Sequence, residues 1–129
     1  MKILPFVGML LAVLLIGATS ACSQSDAPPQ GAAGAAPAEF RDGEQKFAAN
    51  CSRCHGAGAM GTAHGPPLVH KIYEPNHHAD QAFQNAAANG VRAHHWQFGN
   101  MPKINGVTPD DVDQIVKYVR WLQKEAGIF

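Results

Sequence analysis

The pentapeptide Cys51-Ser52-Arg53-Cys54-His55 constrains the fold of this chain more than any other stretch. C-x-x-C-H is the attachment signature of c-type haem, in which two thiols form thioethers with the porphyrin vinyl groups and the adjacent histidine binds iron. On one helical turn, cysteines at this spacing reach the same edge of one porphyrin, and the following imidazole is long enough to reach the metal. The motif therefore predicts one covalently bound haem held by Cys51, Cys54 and His55.

Two other kinds of site fit these cysteines less well. A zinc site could combine Cys51 and Cys54 with His64 and His70. Zinc fingers usually separate their ligand pairs by more residues and carry both histidines on a helix, which Gly65-Pro66-Pro67 would interrupt here. A thioredoxin-like redox pair would need a βαβ surround, and no strand pattern precedes the motif. We therefore favour haem over zinc and over a redox disulfide.

The composition excludes several broad classes of function. At 129 residues, the chain is long enough for one domain with additions. Ten Lys and Arg balance ten Asp and Glu, so no basic surface indicates nucleic acid and no acidic tail indicates disorder. Of the three cysteines, the haem motif takes two, and Cys22 therefore needs its own explanation.

The N-terminus has the three parts of a secretory signal peptide: Lys2, an apolar run over 3–18 and the small residues Thr19-Ser20-Ala21. Thr19-Ser20-Ala21-Cys22 also resembles a lipoprotein signal, whose cysteine becomes the lipidated first residue, although Thr19 stands where that signal usually has Leu. An unpaired thiol is a liability in an oxidising compartment, which favours a lipid on Cys22. We predict a signal peptide over 1–21, export to the periplasmic side and anchoring to the membrane as a lipoprotein.

Two alternatives for the leader stay open. Cleavage after Ser20 or Ala21 could release a soluble protein with a free Cys22. The apolar run could instead be retained as a membrane anchor, although it is at the lower limit of length for spanning a bilayer.

Residues 22–37 are predicted to be a linker that carries the lipid. They are rich in Ala, Gly and Pro and contain no large apolar side chain that could join a core. The haem domain is predicted over 38–129. A domain of this size is short for a self-sufficient core, and a buried haem would supply the missing apolar area.

Three helices are predicted in this domain, and no segment alternates convincingly as a strand, so the fold class is all α. The first helix runs from Glu39 to Cys54, with Gly43 and Phe47 on the face of Cys51. The second covers 80–89 and ends at Asn89-Gly90. The last begins with Thr108 as N-cap and Pro109, followed by an apolar stripe at helical spacing: Val112, Ile115, Val116, Val119 and Leu122.

On these features, residues 38–129 resemble a class I c-type cytochrome. The first-helix pattern leads into the haem motif, Gly65-Pro66-Pro67-Leu68 resembles the G-P-x-L segment of that family, and Met101-Pro102 resembles its distal ligand loop. Ile115 and Tyr118 resemble the last-helix pair that packs on the glycine of the first helix. The resemblance implies a small cytochrome c fold of three to four helices around one covalently bound haem c.

The resemblance also implies roles for individual residues. His55 would bind iron through Nε2 and donate Nδ1–H to the carbonyl of Pro66, and Met101 would bind from the opposite face. Iron with both axial positions filled passes electrons but has no room for a substrate, so we do not expect an enzyme. Four side chains would form walls of the haem site or belong to the ordinary core: Leu68, Phe83, Trp96 and Phe98.

Other candidates for the distal ligand remain. Met60 follows His55 too closely to cross the porphyrin edge easily, and Met1 and Met9 belong to the leader. Two adjacent histidine pairs, His77-His78 and His94-His95, could ligate iron instead of Met101, bond to the haem propionates or form a surface copper or zinc site. We favour the propionate and surface roles.

The favoured function is that of a membrane-tethered monohaem cytochrome that carries single electrons between respiratory or other redox proteins. A first alternative is an open-site haem protein that binds a gas or acts as a peroxidase, which requires Met101 to be unbound at rest. A second is an accessory metal-binding module that uses the histidine pairs. The even charge balance indicates no preferred redox partner, and neither nucleic acid nor a small-molecule substrate is expected.

Overall fold

The computed structural model describes residues 35–129. The predicted signal peptide, Cys22 and most of the predicted linker therefore lie outside the described residues. Ala36, which composition groups with the linker, is fully buried in the core, and its carbonyl accepts a hydrogen bond from Arg41 Nε at 3.3 Å. Within the described part, no helix has the length and apolar character needed to cross a bilayer.

The described chain folds into four α-helices joined by long loops. They are α1 (Arg41–Asn50), α2 (Ser52–His55), α3 (Asp80–Asn89) and α4 (Pro109–Glu125), with short 3₁₀ turns at Ala38–Phe40, Ala57–Ala59 and Lys71–Tyr73. Within residues 35–129 there is no strand, and extended pairing is limited to an isolated antiparallel bridge between Val91 and Met101. The all-α class is confirmed, and the four helices agree with the predicted number of three to four.

The first helix is interrupted where the sequence predicts continuity. The backbone of Cys51 leaves the helical region at φ −121°, so α1 ends at Asn50. The amides of Cys54 and His55 then both donate to the carbonyl of Cys51, at 3.1 and 3.0 Å, and form the short α2. The prediction of one helix from Glu39 to Cys54 was therefore wrong at this point, because the haem motif forms a separate turn.

The start of α4 follows the sequence signals. Thr108 Oγ1 accepts the amide of Asp111 at 3.2 Å, and the Asp111 carboxylate accepts the amide of Thr108 at 3.0 Å. This reciprocal pair satisfies two amides that an uncapped helix would leave without partners, and Pro109 occupies the first turn. The predicted N-terminus of the last helix is confirmed, as is the predicted span of α3.

Helices α1 and α4 cross at Gly43. A Cβ at this position would overlap the backbone carbonyl of Gln114 and lie 2.9 Å from the Cβ of Tyr118. Next to this crossing, the rings of Phe47 and Tyr118 pack with their centroids 5.7 Å apart. The expectation that Gly43 allows another helix to approach closely is confirmed.

We expect Gly43→Ala to destabilise the holo-protein by about 2 kcal/mol or more, because the added methyl must push α4 backbone away from α1. Urea unfolding followed by circular dichroism measures the loss. Gln45→Ala, at an exposed position of the same helix, is the matched control and should change the free energy of unfolding by less than about 0.5 kcal/mol. Equal stability of Gly43→Ala and Gln45→Ala would contradict the close crossing.

A buried polar network fixes the loop between α2 and α3 to the last helix. Gln123 is fully buried, and its Nε2 donates to the carbonyls of Leu68 and Tyr73 at 2.8 and 3.0 Å. Arg120 donates to the same Tyr73 carbonyl at 2.6 Å and to the carbonyl of His78 at 2.5 Å. These bonds hold one side of the central cavity in place, since buried carbonyls without partners would be costly.

Candidate functional site

A cavity of about 690 Å³ lies between the haem motif, α3, the loop before α4 and α4 itself. Its lining is mostly apolar, and its volume is in the range of cofactor sites. All five residues proposed from the sequence to hold the cofactor line it: Cys51, Cys54, His55, Pro66 and Met101. The fold therefore brings together residues that are far apart in the chain.

On one side of the cavity, the ring of His55 is oriented by the backbone. His55 is 8% exposed, and its Nδ1 lies 2.8 Å from the carbonyl oxygen of Pro66. Because a carbonyl can only accept, Nδ1 carries the proton and Nε2 keeps a lone pair for a metal. Burial lowers the pKa of His55, with the Pro66 hydrogen bond opposing it. The imidazole is thus held in the neutral form that a metal requires.

The two cysteines are half-buried thiols, and no disulfide joins them. Burial, with a smaller contribution from Cys54, raises the pKa of Cys51 to about 11. His64 and His70 do not join the cysteines in a cluster of potential metal ligands within the described residues. These observations support thioether formation over the zinc and disulfide alternatives.

On the distal side, the backbone of Met101 is fixed by its bridge to Val91. The two residues exchange amide–carbonyl hydrogen bonds of 2.9 and 3.0 Å, which close the loop over residues 92–100. Gly90 packs here at φ +76°, where an added Cβ would lie 2.5 Å from the carbonyl oxygen of Met101. Met60, in contrast, is 64% exposed and is absent from the cavity lining. Of these two methionines, only Met101 is placed to reach a bound group.

The four predicted wall residues, Leu68, Phe83, Trp96 and Phe98, all line the cavity. Trp96 has a further property that sequence reasoning missed, since its indole Nε1 is buried without a hydrogen-bond partner. Burial raises the pKa of the Tyr73 phenol, and the nearby N–H of Trp96 opposes this rise. The Trp96 N–H and the Tyr73 phenol nevertheless do not meet at hydrogen-bonding geometry. A buried unpaired donor indicates that a ligand with an acceptor belongs in the cavity.

A haem satisfies each of these features. Its apolar ring suits the apolar lining, and its iron could accept the lone pair of His55 Nε2. Its carboxylates could accept a hydrogen bond from the Trp96 N–H, which otherwise has no partner. No sequence signal marks Trp96 as a donor rather than a wall, because its role depends on what surrounds the indole nitrogen.

The two histidine pairs also come together in space. Ligand atoms of His77, His78 and His95 lie within 4.8 Å of one another, and the ring of His94 is tilted against that of His95 with centroids 4.2 Å apart. His78, His94 and His95 line the cavity, whereas His77 lies outside it. The pairs flank α3 in sequence, and the loops at its two ends bring them to one place.

Comparisons with known proteins agree with this geometry. The cytochrome c family profile matches residues 40–123. A curated relative, the cbb3-type cytochrome c oxidase subunit CcoP of Rubrivivax gelatinosus, is 32% identical over 85 residues, which cover 64% of this chain and 26% of that protein. The chain thus spans about a quarter of the length of this relative. No solved structure matches the chain significantly. The profile match covers most of the described domain, including the haem motif, and the chain belongs to the cytochrome c family.

Proposed function

We propose that this chain is a monohaem c-type cytochrome that carries single electrons, with haem bound covalently through Cys51 and Cys54 and ligated by His55 and Met101. The observation that carries the proposal is the convergence of these four side chains on one apolar cavity. The orientation of His55 by Pro66 supports it, because Nε2 is left free to bind iron.

Each residue has a distinct part in this function. The bound group supplies a one-electron ferric–ferrous couple. His55 and Met101 would hold the iron, which would leave no position for a substrate, and the thioether of Met101 would favour the ferrous state. The apolar walls around Phe83 and Leu68 exclude water and so limit reorganisation when the charge changes. These are the requirements of electron transfer and not those of substrate turnover.

We propose other redox proteins as the partners of this domain. The name of the relative, a subunit of a cytochrome c oxidase, supports a respiratory setting, and the small domain would deliver or receive electrons there. The balance of ten basic and ten acidic residues supports docking without strong electrostatic steering.

Carbon monoxide distinguishes the electron carrier from an open-site haem protein. With Met101 bound, we expect the ferrous spectrum of the holo-protein to be unchanged by carbon monoxide, and a redox titration to follow a one-electron curve. Ready formation of a carbon monoxide complex by the resting ferrous protein would contradict the proposal. It would support the gas-binding or peroxidase alternative.

We further propose export and a lipid on Cys22, which lies outside the described residues. The small residues before Cys22 and the predicted linker after it support this assignment. Two or more acyl chains hold a protein stably at a membrane, whereas one chain does not. We therefore expect Cys22→Ser to move most of the protein into the soluble periplasmic fraction, measured by immunoblotting of fractionated cells, while Ser23→Ala stays in the membrane. If Cys22→Ser remains in the membrane at wild-type levels, the retained leader is the anchor.

A further inference from the structure

Three histidine side chains converge at the rim of the cavity without a role in the proposed electron transfer. His77 and His78 precede α3 and His95 follows it, yet their ligand atoms lie within 4.8 Å of one another. The ring of His95 lies 5.1 Å from that of His77 and 5.2 Å from that of His78, measured between centroids. Three imidazoles this close together can share one bound cation.

The turn that carries the first pair is fixed from two directions. The amides of His77 and His78 both donate to the carbonyl of Glu74, at 3.0 and 2.8 Å. Arg120, only 13% exposed in its side chain, donates to the carbonyl of His78 and pairs with Asp80 at 2.8 Å. The rigid backbone places the two rings side by side before any ligand binds, which reduces the entropy lost on binding.

The ring of His78 is also oriented for a metal. Its Nδ1 lies 2.7 Å from the carbonyl oxygen of Ile72, so Nδ1 carries the proton and Nε2 keeps the lone pair. A backbone carbonyl behind the ring is the usual second contact of a metal-binding histidine. Nothing in electron transfer requires this orientation of His78.

The loop over residues 92–100, which carries His94 and His95, is held by hydrogen bonds at its base and in its interior. The Val91–Met101 bridge closes it, and the side chain of Asn100 accepts the amide of Ala93 at 3.0 Å. His94 Nδ1 lies 2.8 Å from the carbonyl oxygen of Arg92, which orients the ring of His94. The loop therefore presents His95, with His94 next to it, to the turn that carries the first pair.

We propose that His77, His78 and His95 bind one divalent transition-metal ion of borderline softness, Zn²⁺ or Cu²⁺, at the rim of the haem cavity. Three neutral imidazoles without a carboxylate suit these ions and do not suit Mg²⁺ or Ca²⁺. Zn²⁺ on three histidines takes water as its fourth ligand. A haem carboxylate alone does not account for the cluster, because His77 contributes to it from outside the cavity lining.

The ion would join two loops that are otherwise separate. One is the turn anchored by Arg120, and the other is the loop whose base positions Met101. Ion binding would therefore hold the distal loop against the domain, and metal availability would modulate how firmly Met101 is held.

The test is calorimetric titration of Zn²⁺ into the full-length holo-protein. We expect one ion per chain, and an affinity at least about 100-fold weaker in the His77→Ala/His95→Ala double variant. His64→Ala removes an exposed histidine away from the cluster and should bind as the wild type does. The haem spectrum of each variant reports whether the domain is folded. The conservative variant His77→Gln removes one imidazole and provides a second, milder test of Zn²⁺ affinity.

Thermal unfolding gives an independent measurement. Zn²⁺ should raise the Tm of the wild type and of His64→Ala but not that of the double variant, because only a site in the folded state stabilises it. Absence of Zn²⁺ binding by the wild type, or unchanged affinity in the double variant, would overturn the proposal. Met101 is not a member of the cluster, so the metal site and the ligation of iron by Met101 are tested separately, and an unchanged haem spectrum in the double variant excludes His95 as an iron ligand.

Discussion

Replacing Met101 with Ala is expected to give a haem with an empty or water-filled distal position, a lower reduction potential and new binding of carbon monoxide. Met101 lines the cavity from a backbone fixed by Val91, whereas Met60, the other methionine of residues 35–129, is exposed away from the cavity and is not placed to substitute. Loss of the thioether removes the ligand that favours ferrous iron. We expect a fall on the order of 100 mV or more, within the range of about 0.8 V that axial ligation spans.

Two matched variants make this prediction specific. Met101→His should keep six ligands and still lower the potential, because imidazole donates more strongly to ferric iron. Met60→Ala removes an exposed methionine and should leave the spectrum and the potential unchanged. An unchanged spectrum and potential in Met101→Ala would contradict the assignment. His94 or His95 would then be the ligand to test, and the electron-carrier function would survive with a lower working potential.

Removing both cysteines is expected to abolish covalent haem and to leave a domain that does not unfold cooperatively. Without haem, the apolar lining of a cavity of about 690 Å³ would face water, which would cost the domain on the order of several kcal/mol of hydrophobic burial. Small domains have only about 5–15 kcal/mol of stability in total. The walls must therefore collapse or the domain must unfold when haem is lost.

Near-ultraviolet circular dichroism and thermal melts of Cys51→Ala/Cys54→Ala measure this effect. Ser52→Ala is the matched control inside the motif, since it keeps both thiols and loses only the bond from its hydroxyl to the carbonyl of Ala48. A double variant that melts as sharply as the control would show that the fold does not depend on attached haem.

Local signals predict much of this fold. The N-cap Thr108, Pro109 and Asp111 act within one helical turn, and Gly90 ends α3 directly, so these helix ends could be placed from the sequence. The break at Cys51 could not be placed, because cysteine carries no helix-ending signal and the turn depends on how the motif packs. The spacing of the cysteines and histidine thus identified the haem motif, whereas the end of the helix before it was predicted wrongly.

The parts of the site that escaped prediction depend on contacts between distant residues. Arg120 and Gln123 lie on an otherwise ordinary helix, and their bonds to the loop after α2 follow from the tertiary fold alone. The unpaired N–H of Trp96 is likewise a property of its surroundings. The adjacent histidines were visible in the sequence, but their convergence depends on the loops at both ends of α3.

The most direct test of the central claim is whether haem stays with the wild-type chain after acid–acetone extraction. The proposed thioether bonds to Cys51 and Cys54 would survive this treatment, whereas iron ligation by His55 and Met101 would not. We predict that mass spectrometry of the extracted chain shows the polypeptide with one haem attached. A chain that loses all of its haem to the solvent would contradict covalent attachment, and with it the account of the cavity given above.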